Sequence, residues 1–167
     1  MTCHDVFNGD ADGLCALHQL RLAAPRHGNP YTSPKRDVHL PARVDAGEGN
    51  GVTVLDISLD VNGAALGTRL ARNVGVARFH PHHAGKAPAH ARLSATIGMA
   101  PDVGTSMRAD RHLAGCCRAW ASVGAFGDNP RGNTERLATS TALAGAQASE
   151  LPEFLDARKA AFPASPR

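Results

Sequence analysis

Aromatic side chains are scarce: five Phe, one Tyr and one Trp supply 4% of a 167-residue chain. A platform that stacks single-stranded bases needs several such rings interleaved with basic residues, and no stretch of this sequence offers that alternation. A dedicated nucleic-acid groove is therefore not visible. Cysteine is limited to Cys3, Cys15, Cys116 and Cys117. None of them falls in a CxxC pair, which excludes a structural zinc ribbon. Long apolar runs are absent, and the chain does not open on a charged segment followed by an apolar one. These absences predict a cytoplasmic protein with reduced thiols and no membrane association.

What is present describes an ordinary globular domain. The length suits one well-cored unit. Hydrophobic residues make up 43% and charged residues 20% of the chain, so the core must be built from Val, Leu and Ala. Fifteen of the 18 basic residues are Arg, and the net charge of +3 permits a phosphate-bearing ligand. The sequence shows neither an internal repeat nor a heptad pattern.

Hydrophobic periodicity predicts alternating strands and helices. "HDVFN", residues 4–8, is β-prone and runs into the turn composition "GDADG". Leu14, Ala16, Leu17, Leu20 and Leu22 then mark a helix over about residues 13–23, ended by Pro25. Residues 26–37, broken by Pro30 and Pro34, read as a loop with at most a short strand. "GVTVLDIS", residues 51–58, is a near-continuous β-branched run of the kind buried on both faces of a parallel sheet, with Asp56 at its C-terminal end. An amphipathic stretch at 61–73, a second β run at 74–79, a His-rich loop and a helical pattern over 105–126 follow. A last helical pattern covers 133–147. Strands separated by helices predict an α/β fold, with an open, mostly parallel sheet flanked by helices.

In such a sheet, ligands bind beyond the C-terminal ends of the strands. That rule gathers Asp10 and Asp12 after the first strand, Asp56 at the end of the central one, and His80, His82 and His83 after the next. Asp128 in "FGDN", read as lying just past a helix, can fold back to the same edge. Asp clusters with one or two His suit a hard or borderline divalent cation such as Mn²⁺ or Mg²⁺. Two such ions can clamp a phosphoryl group during in-line displacement. Taken singly, each motif also has a plain reading: an Asp-rich turn, a solvated His pair, a C-terminal turn. Arg111 and His112 read as an exposed helix face. The ordered series is what points to a site.

"FNGDADG", "VLDIS", "FHPHHAG" and "AFGDN" occur in the order of the four motifs of the DHH phosphoesterase superfamily, which the chain resembles over roughly residues 4–145. "DVGTS" and "RAWASVGAFGDN" also look like the subgroup with Asn-Gly before its first Asp pair. The superfamily includes RecJ-type exonucleases, oligoribonucleases and manganese-dependent pyrophosphatases. The resemblance implies two Mn²⁺ ions, with Mg²⁺ as a substitute, and a nucleotide or short single-stranded nucleic acid as substrate. By position it makes Asp10, Asp12, Asp56 and Asp128 metal ligands. His82 falls on the second His of the Asp-His-His signature, expected to contact the substrate phosphate or orient the nucleophile.

Two features depart from the pattern. Aligned without a gap, the signature reads His80-Pro81-His82, so His80 stands in for an Asp ligand and Pro81 for an imidazole it cannot replace. A one-residue shift would instead bring His82 and His83 to the signature positions. Val6 occupies a place where other subgroups carry a ligand. The resemblance further implies a domain over 1–147 and a tail or linker stub over 148–167, with most of the substrate-binding second domain missing. The expected function is a metal-dependent phosphoesterase acting on phosphodiesters. The alternative is a degenerate, non-catalytic module that binds metal or nucleotide, and a pyrophosphatase-like activity comes third.

Overall fold

The computed structural model describes residues 1–33, 39–80, 87–97 and 103–128, and for Asp60, Phe79, His80, Ile97 and Asp128 it describes the backbone alone. Five strands, β1 (Cys3–Asn8), β2 (Asn29–Ser33), β3 (Gly51–Leu55), β4 (Gly75–His80) and β5 (Leu93–Ile97), form one sheet in the order β2-β1-β3-β4-β5. Every neighbouring pair is parallel. Among the described residues four helices accompany them: α1 (Ala11–Ala23), α2 (Gly63–Ala71), α3 (Thr105–His112) and α4 (Arg118–Asp128). The expected open parallel α/β sheet is present.

Alternation along the strands divides the core in two. Val6, Val52, Val54 and Val76 point to one side, where Leu66 and Leu70 of α2 and Leu40 and Val44 of the preceding segment cover them. Phe7 and Leu55 point to the other, against Leu14, Ala16 and Leu17 of α1 and Ala109 of α3. Removing these apolar side chains from water on both faces is the main stabilising term. Two buried polar residues of β1 differ: Asp5 is paired and His4 is not. Asp5, fully buried, is held by Arg21 at 2.7 Å and Arg26 at 2.6 Å. His4 keeps both ring nitrogens without hydrogen-bond partners, and burial lowers its pKa below 6.5.

The boundaries differ from the sequence reading in four places. Helix α1 begins at Ala11, because the Asp10 side chain caps it by accepting the Gly13 N–H at 3.0 Å. Leu22 is exposed, whereas Leu20 packs on the core and Arg21 pairs with Asp5 of β1. The His-rich loop, read over residues 80–93, runs directly into β5, a strand the sequence reading did not propose, paired to β4 and with exposed Ser94 and Ala95. The single helix expected over 105–126 is two helices, separated where Ala114 and Gly115 adopt positive φ of 55° and 81°. No described helix is long and apolar enough to cross a membrane. The helix expected at 133–147 and the tail at 148–167 lie outside the described residues.

The sheet order sets the location of a crevice. The neighbours β1 and β3 are followed by helices on opposite faces, α1 on one and α2 on the other. Loops at their carboxyl ends therefore diverge, which opens a groove between them at the topological switch point.

Candidate functional site

Asp10 and Asp56 flank that groove. Asp10 follows β1 by two residues and Asp56 follows β3 directly. Asp56 has a positive φ of 57°, a left-handed conformation that Asp and Asn tolerate better than other side-chain-bearing residues. The turn is held from below by Arg78 of β4, a buried side chain whose Nη2 donates to the Ile57 carbonyl at 2.6 Å.

One amide joins the two carboxylates. Asn8 Nδ2 donates to Asp10 Oδ2 at 3.1 Å and to Asp56 Oδ2 at 3.2 Å. The other oxygen of Asp56 accepts from Thr105 Oγ1 at 3.0 Å. Gly13 is required nearby, because a Cβ there would collide with the Asn8 carbonyl oxygen and push on the backbone that aims this amide. Gly13→Ala should cost about 1–3 kcal/mol of stability by overpacking, measured by urea denaturation. A change within about 0.5 kcal/mol would contradict the contact.

Asp12 has a different position from the one expected. It is the second residue of α1, 2% exposed, and it turns away from the groove onto the N-terminus of α3. Its Oδ2 accepts the Thr105 N–H at 2.6 Å, and its Oδ1 accepts the Ser106 N–H at 2.9 Å and the Ser106 hydroxyl at 2.5 Å. Gly104, the N-cap residue of α3, has no side chain to offer. Asp12 satisfies the orphan donors in its place and meets the positive end of the helix dipole. A Cβ at Gly104 would lie 2.8 Å from the Asp12 carboxylate oxygens, so the close approach needs glycine.

The electrostatics of the three acids favour a cation. Burial, then the charges of Asp10 and Asp12, push the Asp56 carboxyl from 3.8 up to about 8. Burial likewise raises Asp12, offset by its bonds to Ser106 and Thr105 and reinforced by Asp10. Among the described residues, the groups that favour ionised Asp56 are the neutral Thr105 hydroxyl and Asn8 amide. The metal-free protein holds this proton up to about pH 8, whereas the unfolded chain releases it near 3.8. Between those values the unfolded state binds fewer protons, so stability falls as pH rises through that window and then levels off. Urea midpoints at about pH 5 and about pH 9 should show the drop, and Asp56→Asn should reduce it, leaving the part that comes from the raised Asp12 carboxyl. Equal wild-type midpoints would refute the raised carboxyl.

The remaining expected residues are only partly placed. His80 ends β4, the second strand beyond β1, and so reaches the same edge by backbone position. Asp128 is the last residue of α4, not a residue beyond the helix. Trp120 packs on His18 and Gly124 approaches Cys15, so α4 runs antiparallel to α1 and ends beside its N-terminus. His82 and His83 lie outside the described residues. Arg111 and His112 are exposed, as their helix face predicts. Among the described residues, no three His, Cys, Asp or Glu side chains stand together in metal-holding geometry. Asp10 and Asp56 supply two hard oxygen donors suited to Mg²⁺ or Mn²⁺, and the suppressed ionisation of Asp56 is what a divalent cation would relieve. These two carboxylates fit part of the coordination sphere of a divalent metal.

Sequence reasoning missed Asn8, Thr105, Ser106 and Arg78 as parts of this site. "GTS" before a helical run was a visible N-terminal composition, but its capping partner is 93 residues away.

Comparison with known proteins adds the fold. No protein-family profile and no curated protein matches the chain. Among solved structures, it is similar to exonuclease RecJ bound to manganese, with 17% identity and a TM-score of 0.55 over 90% of this chain and 50% of that one. It is also similar to RecJ in complex with Mn²⁺ from Thermus thermophilus, with 17% identity and a TM-score of 0.52 over 98% of this chain and 27% of that one. The chain thus spans half the length of the first and about a quarter of the second. It has a RecJ-like α/β fold.

Proposed function

We infer that the chain is a divalent-metal-dependent phosphoesterase domain of the DHH type, acting on phosphodiesters of nucleotides or short single-stranded nucleic acids. The observation that carries this reading is the Asp10–Asn8–Asp56 arrangement at the switch point, in a fold similar to that of manganese-bound RecJ. Residues 1–147 form the domain in this reading, and 148–167 the linker.

Asp10 and Asp56 would hold the cation, Mn²⁺ by preference with Mg²⁺ as substitute. Asp12 supports them from behind by fixing α3. His80 and Asp128 complete the ligand set, and His82 contacts the substrate phosphate. A bound divalent ion supplies Lewis-acid polarisation of phosphoryl oxygen and an acidified water. The protein's own contributions are positional. Thr105 Oγ1 fixes one oxygen of Asp56, and Arg78 holds the Ile57 carbonyl so that the left-handed turn stays in place. Asn8 orients Asp10 and Asp56 towards a common point.

A degenerate binding module is the second reading, favoured by Pro81 at the place of a signature imidazole. Hydrolysis of bis-p-nitrophenyl phosphate with and without Mn²⁺, beside Asp56→Ala, separates the two. Turnover that needs Mn²⁺ and disappears in the variant supports the phosphoesterase. Absence of turnover above the variant, with the protein folded, leaves the binding module.

A further inference from the structure

Two adjacent thiols lie apart from the carboxylate groove and take no part in its chemistry. They sit where the chain turns between α3 and α4, just after the left-handed residues Ala114 and Gly115. Cys116 is exposed and Cys117 is buried, yet their sulfurs approach to 3.3 Å in a thiol hydrogen bond. Burial, with the bond to Cys116, raises the Cys117 thiol to about 11, so Cys117 keeps its proton while Cys116 faces solvent. Asp110, fully buried, anchors the inner side of the turn. Its Oδ1 accepts the Cys117 N–H at 3.1 Å and its Oδ2 accepts Arg118 Nε at 2.5 Å.

A zinc role does not fit. Structural zinc takes four ligands, and no group of three candidate ligands exists among the described residues. What the pair does fit is oxidation. The residues lie between the two helices, in the turn, and only the Cys117 carbonyl takes part in a helical bond, accepting the Ala121 N–H at 3.2 Å. Adjacent Cα atoms are about 3.8 Å apart across a trans peptide, below the usual disulfide span of about 4.4–6.8 Å. A bridge between neighbours is therefore strained, and strained bridges are the readily reduced, reversible kind.

We propose that Cys116 and Cys117 form a reversible vicinal disulfide, which makes the α3–α4 turn a modification site for low-molecular-weight disulfides such as oxidised glutathione. The Cys116 thiolate attacks one sulfur of the oxidant, forms a mixed disulfide and expels one thiolate. Cys117 then loses its proton to solvent and attacks the Cys116 sulfur, forming the vicinal bond and releasing the second thiol. Two protein thiols are oxidised and one small disulfide is reduced to two thiols, so the electrons balance.

The test is incubation of the full chain, carrying Cys3→Ser to silence the other partly exposed thiol, with oxidised glutathione. Intact mass and alkylation mapping read the product. The expected result is loss of two hydrogens, protection of Cys116 and Cys117 together, no retained glutathione, and recovery with a reductant. Cys117→Ser should instead retain one glutathione on Cys116. Cys116→Ser, altered at an exposed position, should give neither product. Glutathione retained on Cys116 in the parent chain, unchanged alkylation of both thiols, or chains linked to one another would each overturn the proposal.

Discussion

Asp56→Asn should lower Mn²⁺ affinity by roughly a hundredfold or more and abolish Mn²⁺-stimulated phosphodiester hydrolysis, while leaving the protein folded. Loss of groups that merely orient metal ligands costs roughly 10–100-fold, and Asp56 is placed to be a ligand itself. The substitution is nearly isosteric, and Asn tolerates the positive φ of 57° that the position demands. Its Oδ1 can still accept from Thr105 Oγ1, whereas the bond from Asn8 Nδ2 is lost. The variant also removes the carboxyl that burial, Asp10 and Asp12 push up to about 8. Metal binding should therefore be lost, and the fall of stability with rising pH should shrink with it. Wild-type Mn²⁺ affinity in the variant would show that the carboxylate is structural.

Asp12→Ala should destabilise the fold by about 3 kcal/mol or more, because three donors on α3 lose their acceptor in a buried place. Ser106→Ala, which removes one of the three bonds and leaves the backbone caps, should cost about 1 kcal/mol. Urea denaturation at constant pH checks both. This result separates two roles for the same residue. A carboxylate presented to a metal is strained without it, and its removal would leave metal-free stability unchanged or improved. A carboxylate that caps a helix is missed at once. An Asp12→Ala protein within about 0.5 kcal/mol of wild type would contradict the capping role.

Much of the scaffold was legible because its signals are local. The β-branched run of β3 and the leucine stripe of α1 each follow one period, and Pro25 marks where α1 must end. The strand β5 was not legible. "LSATI" is short, sits at the sheet edge and is half exposed, so it carries little of the apolar pattern that marks a buried strand. The break between α3 and α4 was missed although Gly115 marks it, because Leu113 and Ala114 keep the helical pattern and the turn also needs a positive φ at Ala114, a residue with no preference for it.

The site divides in the same way. The positions of Asp10 and Asp56 follow from strand ends and the switch-point rule, so sequence sufficed to bring them together. The place of Asp12 did not follow. Spacing of two residues suggested a partner for Asp10 in one turn, but Asp10 caps α1, and this puts Asp12 on the helix and turns it towards Thr105 and Ser106. Long-range capping leaves no trace in the residues around either end.

That Asp10 and Asp56 form a divalent-cation site is tested most directly by calorimetric titration of the metal-free protein with Mn²⁺. Run at about pH 7 in buffers of different ionisation enthalpy, the titration also counts the protons released, since Asp56 must give up its proton to bind. Saturable uptake of at least one Mn²⁺ per chain, with proton release, and loss of both in Asp56→Asn is the predicted result. Uptake that is absent, or that is the same in the variant, would contradict it.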